Sequence, residues 1–215
     1  MPQKANREYR DMTIAAVTGE DRAAEVERRT VAGYASTFNE PYTLYEDDDL
    51  TYREQVDPSA FDDTDMTDVI MQYDHQGRVF ARITNNTLRV APDEKGLFIE
   101  ADLGGTEIGR ELYDEIAGGY TDKMSFGFIV DTDTVLRTED ENGHVDVLRT
   151  ITGISKLFDV SAVSLPANEG TSIGVATRSK IDGEIEAIQA ERLEAERVKL
   201  ERRRAEVRAR ALGKE

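Results

Sequence analysis

Short apolar runs, rich in β-branched and aromatic residues and separated by turn residues, dominate this sequence. The strand-like runs occupy residues 12–17, 29–35, 50–55, 69–73, 77–81, 85–90, 97–101, 123–130, 145–151 and 154–165. Short runs bounded by glycine, proline, asparagine and aspartate are typical of β-strands. Since only one or two helical patterns lie among them, they predict a mainly β domain with a few helices (α+β), built as a closed or partly closed β-barrel.

Local signals predict several connections between these runs. Residues 92–96, which end in glycine, indicate a hairpin turn, and the Asn-Gly pair at 142–143 indicates the tip of another. Residues 106–116 have helical spacing, and the two glycines at 118–119 suit the end of that helix. An aspartate followed by proline in residues 57–61 predicts a short, capped helical turn.

The charge distribution divides the chain near Ser179. The whole chain has a net charge of −17, whereas residues 180–215 carry ten Lys/Arg and nine Asp/Glu. The tail is therefore close to neutral, with a net charge of +1, and residues 1–179 carry −18. This shift predicts an N-terminal segment of residues 1–28 whose first ten residues are frayed, a domain of residues 29–179, and a charged helical tail of residues 180–215.

The composition excludes several classes of function. With no cysteine in the chain, disulfides, thiolate nucleophiles and zinc–thiolate sites are impossible. The acidic excess disfavours nucleic-acid binding, which needs basic residues, and suits basic partners instead. No apolar run is long enough to cross a membrane, and the N-terminus lacks the apolar core of a signal peptide. The acidic residues 46–49 lack the spacing of a calcium loop, so we expect a solvated loop there. We therefore expect a soluble, intracellular protein without nucleic-acid or membrane partners.

The tail has the composition of a long, solvent-facing helix. From Glu184 onward it consists mainly of Glu, Arg, Ala and Leu, with no glycine until Gly213. Leu193, Leu200 and Val207 recur every seven residues and form a thin apolar seam that would allow self-association with a partner helix. A lone charged helix or a partly disordered tail explains the same composition equally well.

Two histidines and no cysteine leave few possible catalytic sets. His75 follows the strand-like run 69–73, and Ser125 lies near the start of the run 123–130, with Gly127 two residues later leaving room for a substrate backbone. A serine nucleophile needs a histidine base within hydrogen-bond reach, and the base needs a third group to orient it. Taken singly, each residue also fits an ordinary surface or strand position.

Asp159 is a candidate for the third group. It interrupts an apolar run, so its carboxylate either faces solvent or pairs with a buried group, and an imidazole would suit the second case. His144, beside the turn at residues 141–143, is interpreted as an exposed hairpin histidine. Ser125 lacks the G-x-S-x-G arrangement of an α/β-hydrolase, so that fold is not indicated.

Four motifs, in this order along the chain, resemble the prohead protease family of tailed bacteriophages. They are V-A-G-Y-A-S-T-F-N at 31–39, D-H-Q at 74–76, M-S-F-G-F at 124–128 and L-F-D-V-S-A-V-S-L-P-A-N at 157–168. The resemblance runs from about residue 31 to residue 177. The family typically has N-H-D around the histidine and a glutamate at the start of E-V-S, so this chain departs from the pattern at Asp74, Gln76 and Asp159.

The resemblance implies a serine endopeptidase related in fold to the herpesvirus assemblin proteases, with a β-barrel core surrounded by helices. It implies Ser125 as nucleophile, His75 as general base and Asp159 as the group that fixes the imidazole tautomer, with no cofactor or metal. Such proteases lie inside the procapsid in the host cytoplasm. They trim the scaffold protein or the scaffolding segment of the major capsid protein, and they process themselves.

A second hypothesis belongs to a different class of function. The chain would be a non-catalytic, scaffold-like capsid assembly protein, whose barrel binds capsid subunits and whose tail oligomerises. A Ser125→Ala variant separates the two hypotheses, because only a protease would lose processing.

Overall fold

The computed structural model describes residues 8–16, 29–164 and 175–212. In these ranges the chain is mainly β-strand with two α-helices, as the sequence predicts. The strands are β1 (Glu8–Ala16), β2 (Thr30–Thr37), β3 (Tyr42–Glu46), β4 (Leu50–Val56), β5 (Ile70–Tyr73), β6 (Gln76–Arg82), β7 (Leu88–Pro92), β8 (Gly96–Asp102), β9 (Lys123–Glu139) and β10 (Val145–Val163). The α-helices are α1 (Glu107–Ala117) and α2 (Val175–Leu212), and 3-10 helices span Pro58–Phe61 and Ile83–Asn85.

The described strands form one ten-stranded sheet. Eight of them pair in the order β3-β4-β10-β9-β1-β2-β8-β7, while β5 pairs with β10 and with β6. Neighbouring strands are antiparallel except that β4 and β5 run parallel to β10. Among the described residues this path of pairings does not close into a ring. The mainly β class is therefore confirmed, whereas the assemblin-like barrel remains a prediction.

Strands β9 and β10 form a long antiparallel hairpin. It pairs from Glu139 opposite Val145 to Lys123 opposite Val163, and Gly143 in its tip has a φ of 86°. The sequence pattern divided β10 into two runs, 145–151 and 154–165, and this division is wrong. The register of β10 against β9 shifts between Ile151 and Gly153 and again between Gly153 and Ile154. Strand β10 therefore continues through residues 152–153 without ending.

Strands β4 and β5 lie end to end along the same edge of β10. β4 pairs with residues 145–151 of that strand, and β5 pairs with residues 159–162. The 3-10 helix at Pro58–Phe61 connects them and is capped, as predicted, by Asp57, whose side chain accepts a hydrogen bond from the Ser59 amide at 2.8 Å. The turn that follows β5 therefore lies beside the C-terminal end of β10.

Aromatic side chains on one face of β9 anchor the core. The rings of Phe126 and Phe128 stack with their centroids 4.5 Å apart, and Phe61 lies 6.4 Å from Phe126. All three are buried. Because successive residues of a strand point to opposite faces, this packing fixes Ser125 and Gly127 on the other face.

The predicted hairpin and the predicted internal helix are both present. Strands β7 and β8 pair antiparallel across the turn at residues 92–96. Helix α1 follows Thr106, whose side chain accepts a hydrogen bond from the Gly109 amide at 3.1 Å and so caps the first turn. It is followed by Gly118 and Gly119, and Gly119 has a left-handed φ of 73°, a conformation that favours glycine.

Strand β1 lies between β9 and β2 rather than being frayed. Residues 8–13 pair with β9, and residues 14–16 pair with β2. The prediction of a frayed terminus is therefore wrong for Glu8 to Arg10, because both of these charged side chains are buried in ion pairs. Residues 1–7 lie outside the described part of the chain.

The chain divides into two compact units between Gly174 and Val175. The second unit contains α2, a charged helix that confirms the predicted C-terminal helix. Leu193 is 70% exposed and Leu200 is 50% exposed, while the side chain of Val207 lies outside the described residues. The domain limits at 1–28, 29–179 and 180–215 stay a prediction. Over the described ranges, no helix is both long and apolar enough to span a membrane.

Candidate active site

His75 lies in a two-residue turn between β5 and β6. Since Tyr73 pairs with Gln76, only Asp74 and His75 form the turn, and their φ angles are 48° and 56°. Two left-handed residues make this a type I′ turn, which matches the twist of the flanking strands. Non-glycine residues in this region cost roughly 1–3 kcal/mol each, and such strain is concentrated at functional sites. The turn thus holds His75 in a conformation that few histidines adopt.

Asp74 fixes the turn to the end of β10. Its amide donates to the Ala162 carbonyl at 2.9 Å, and its carboxylate accepts hydrogen bonds from the amide and the hydroxyl of Ser164. These bonds use both the backbone and the side chain of Asp74. The neighbouring His75 is consequently held beside the C-terminal end of β10.

The His75 ring pairs with the carboxylate of Asp159. Nδ1 lies 2.5 Å from Oδ1, and the Asp159 side chain is fully buried while that of His75 is 17% exposed. Of the two alternatives open for Asp159, its carboxylate is therefore buried and paired with an imidazole and does not face solvent. When the Asp159 side chain is an ionised carboxylate it can only accept hydrogen bonds, and the proton of this bond then belongs to Nδ1. That tautomer leaves Nε2 able to accept a proton.

Ser125 lies on the same face of the sheet as Asp159. It is directly opposite Ser161 of β10, while Asp159 is opposite Gly127. Facing residues of an antiparallel pair project from one face with Cβ atoms about 4.5–5.5 Å apart. Gly127 adds no side chain beside Asp159.

The Ser125 hydroxyl is buried without a partner. Its side chain is 0% exposed, and within the part of the chain that the structure describes Oγ makes no hydrogen bond. An unpaired buried hydroxyl costs about 1–3 kcal/mol, so such groups in native proteins call for a functional explanation. The structure therefore joins His75 to Asp159 directly, and it brings Ser125 to the same face without a bond to the imidazole.

Ser161 is a neighbour of this site that sequence reasoning missed. Its hydroxyl donates to Asp159 Oδ1 at 2.9 Å, and its side chain is 0% exposed. Its sequence signals were its place in the D-V-S run of the last motif and its spacing, because residues two apart on a strand share a face.

A surface cleft of about 480 Å³ adjoins the His75 turn. It lies between the β5–β6 hairpin, which contributes Gln76 and Phe80, and α1, which contributes Glu111 and Leu112. The walls are partly apolar and partly charged. A cleft of this size is within the range of ligand sites in proteins.

His144 is tied to a different part of the molecule. Its Nε2 lies 2.9 Å from Thr51 Oγ1, and its Nδ1 lies 3.2 Å from the Asp48 carbonyl. His144 is half-buried by these contacts, so its predicted exposure is wrong. It precedes the first residue of β10, at the opposite end of that strand from Asp159.

The acidic residues 46–49 form a turn held by hydrogen bonds. The Asp47 carboxylate accepts from the amides of Asp49 and Leu50 and from the hydroxyl of Tyr45. In the described ranges, no group of three or more acidic or histidine side chains is arranged to hold a metal ion.

Comparison with known protein families agrees with the motifs. The family model of the caudovirus prohead serine proteases matches residues 16–184, a range that contains His75, Ser125 and Asp159. This match confirms the resemblance, although residues 165–168 of its last motif lie outside the described structure. Searches among curated proteins and among solved structures found no match. The chain therefore belongs to the caudovirus prohead serine protease family.

Proposed function

We propose that this chain is a serine endopeptidase that cleaves scaffold protein, capsid protein or both, and also itself, during procapsid maturation. Membership of the family indicates the broader role, a protease of capsid maturation that meets capsid or scaffold proteins inside the procapsid in the host cytoplasm. The observation that supports the finer proposal is the pair of half-buried His75 and buried Asp159 on the same face as the unpaired Ser125 hydroxyl.

In the proposed mechanism, Ser125 Oγ attacks the carbonyl carbon of the peptide bond while His75 Nε2 takes the hydroxyl proton. The Asp159 carboxylate stabilises the imidazolium that results. His75 then gives this proton to the leaving amine, and water hydrolyses the acyl-enzyme by the same route. The mechanism requires Ser125 Oγ and His75 Nε2 to approach within about 2.6–3.2 Å, a contact that substrate-free enzymes often form only on binding.

The cleft beside His75 is the proposed path for the substrate chain. Its lining residue Gln76 is adjacent in sequence to His75, so a peptide in the cleft would lie close to the proposed base. Because Ser125 is fully buried, the substrate can reach it only after the groups that cover it move.

A fluorophosphonate probe tests the proposed nucleophile directly. We expect the probe to label Ser125 of the folded chain, and mass spectrometry of the digested product locates the modified serine. The His75→Ala variant should label more slowly by a factor of at least about 10³, since it lacks the base that activates the hydroxyl. His144→Ala is the matched control and should label at the original rate. Labelling of another serine, or equal rates in the His75→Ala variant, would refute the assignment.

We also propose that the tail self-associates through its exposed leucines. Leu193 and Leu200 lie seven residues apart on a highly charged helix, with 70% and 50% of their surfaces exposed. Replacing both by glutamine is expected to reduce the sedimentation coefficient of the full chain to that of a monomer. Val198→Gln, which lies off this seam and is 39% exposed, is the control. Unchanged sedimentation of the double variant would exclude this contact.

A further inference from the structure

We propose that Ser161 is a positioning residue that holds the Asp159 carboxylate in place so that it orients His75. This inference rests on the proposed function, in which His75 is the base for Ser125. The proposed role of Ser161 does not depend on a direct contact with the His75 ring. Ser161 acts through Asp159, to which its hydroxyl donates a hydrogen bond of 2.9 Å.

The same carboxylate oxygen accepts from both groups. Asp159 Oδ1 lies 2.5 Å from His75 Nδ1 and 2.9 Å from Ser161 Oγ. Two hydrogen bonds to one oxygen restrict rotation of the carboxylate. Because Asp159 and Ser161 are both 0% exposed, solvent does not compete for these bonds, and hydrogen bonds to a charged group are stronger than neutral ones.

The position of Ser161 distinguishes it from an ordinary strand serine. Its neighbours Val160 and Ala162 point into the apolar core, whereas Ser161 points to the face that carries Asp159 and Ser125. The register puts it directly opposite Ser125. An alanine would occupy nearly the same space, so the hydroxyl adds little to packing and its contribution must come through the bond to Asp159.

The Ser161→Ala variant is therefore expected to slow the maximal rate at which the fluorophosphonate probe labels Ser125 by about ten- to a hundredfold. The probe concentration at half-maximal rate should be unchanged, since Ser161 is 0% exposed and its hydroxyl already donates to Asp159. Ser161→Thr, which keeps the hydroxyl, should restore most of the rate, and Ser161→Cys, a weaker donor, should give an intermediate value.

Two further measurements separate positioning from a general structural effect. In an Asp159→Asn background, Ser161→Ala should cause no additional loss, because residues that act as one unit are not additive. The proton NMR signal of His75 Nδ1–H should shift in Ser161→Ala and return in Ser161→Thr. The control is Ser36→Ala, which removes another buried serine hydroxyl, one that donates to the Thr37 carbonyl, and should leave both readouts unchanged.

The outcomes distinguish this inference from the proposed function. If the unchanged chain is neither labelled at Ser125 nor able to cleave itself, the proposed function fails. If it is labelled and Ser161→Ala reacts at the same maximal rate, only the role of Ser161 fails. That role is also overturned if Ser161→Ala lowers the labelling rate of the Asp159→Asn variant by the same factor as it lowers the rate of the unchanged chain. Should Ser161→Ala not fold, a rate for Ser161→Cys equal to that of Ser161→Thr would overturn it.

Discussion

The Ser125→Ala variant is expected to lose self-cleavage and cleavage of scaffold and capsid protein, by a factor on the order of 10⁶ in rate. The loss should be nearly complete because the variant has no nucleophile to form an acyl-enzyme. The fold should survive, since Ser125 Oγ makes no hydrogen bond within the described residues and its removal leaves no partner unsatisfied. Mass spectrometry of the incubated chain and the unfolding midpoint measure the two effects.

A serine elsewhere on the same hairpin provides the control. Ser155 is exposed, and its hydroxyl lies 3.4 Å from the Ile129 carbonyl, so Ser155→Ala should process itself at the original rate. Processing that persists in Ser125→Ala would contradict the proposed nucleophile. It would favour the alternative hypothesis, a non-catalytic assembly protein cut by another enzyme.

Local features of the fold were predictable because their causes are local. The turn at residues 92–96, the helix after Thr106 and the cap at Asp57 each depend on a few adjacent residues. The pairing of β4 and β5 with the same edge of β10 joins residues far apart in sequence, and no periodic pattern encodes it. The position of β1 between β9 and β2 was missed for the same reason.

The candidate site was predictable in part. The order of the motifs supplied Ser125, His75 and Asp159, and residue types alone left an ordinary role for each of them open. His75 and Asp159 are 84 positions apart in the sequence, and the sheet brings their side chains to a distance of 2.5 Å. Ser161 was missed because strand serines are common. Only the register of β10 with β9 shows that it lies directly opposite Ser125.

A buried cluster of charges, unforeseen from the sequence, is the expected source of the largest change in stability. Arg149 is 2% exposed, and its guanidinium lies 2.8 Å from Glu54, 3.1 Å from Glu8 and 2.6 Å from Asp133. Arg10 also pairs with Glu54. The cluster links β1, β4, β9 and β10, and of these strands β9 carries Ser125 and β10 carries Asp159. The sequence pattern showed Glu54 only as a polar residue inside a strand.

The Arg149→Met variant should lower the free energy of unfolding by about 3–5 kcal/mol, because Arg10 alone then faces the two buried carboxylates of Glu8 and Glu54 and one buried negative charge is left uncompensated. Urea unfolding at pH 7 measures the loss. The matched control is Arg53→Met, which breaks a pair with Asp146 in which both side chains are more than a third exposed, and it should cost less than about 1 kcal/mol. Equal losses in the two variants would contradict a special role for the buried cluster.

The same cluster should determine how stability depends on acid. Burial by itself raises the pKa of Glu54, but the charges of Arg10 and Arg149 outweigh burial and hold the pKa below its ordinary value. A carboxylate with a lowered pKa stabilises the fold above its unfolded-state pKa of about 4.3, and the contribution is lost as pH falls through the folded-state value. Without Arg149 the pKa of Glu54 rises, so the Arg149→Met variant should begin to lose stability at a higher pH than the original chain. Unfolding midpoints measured from pH 7 to pH 3 test this shift, and parallel curves for the two proteins would show that Arg149 does not act through Glu54.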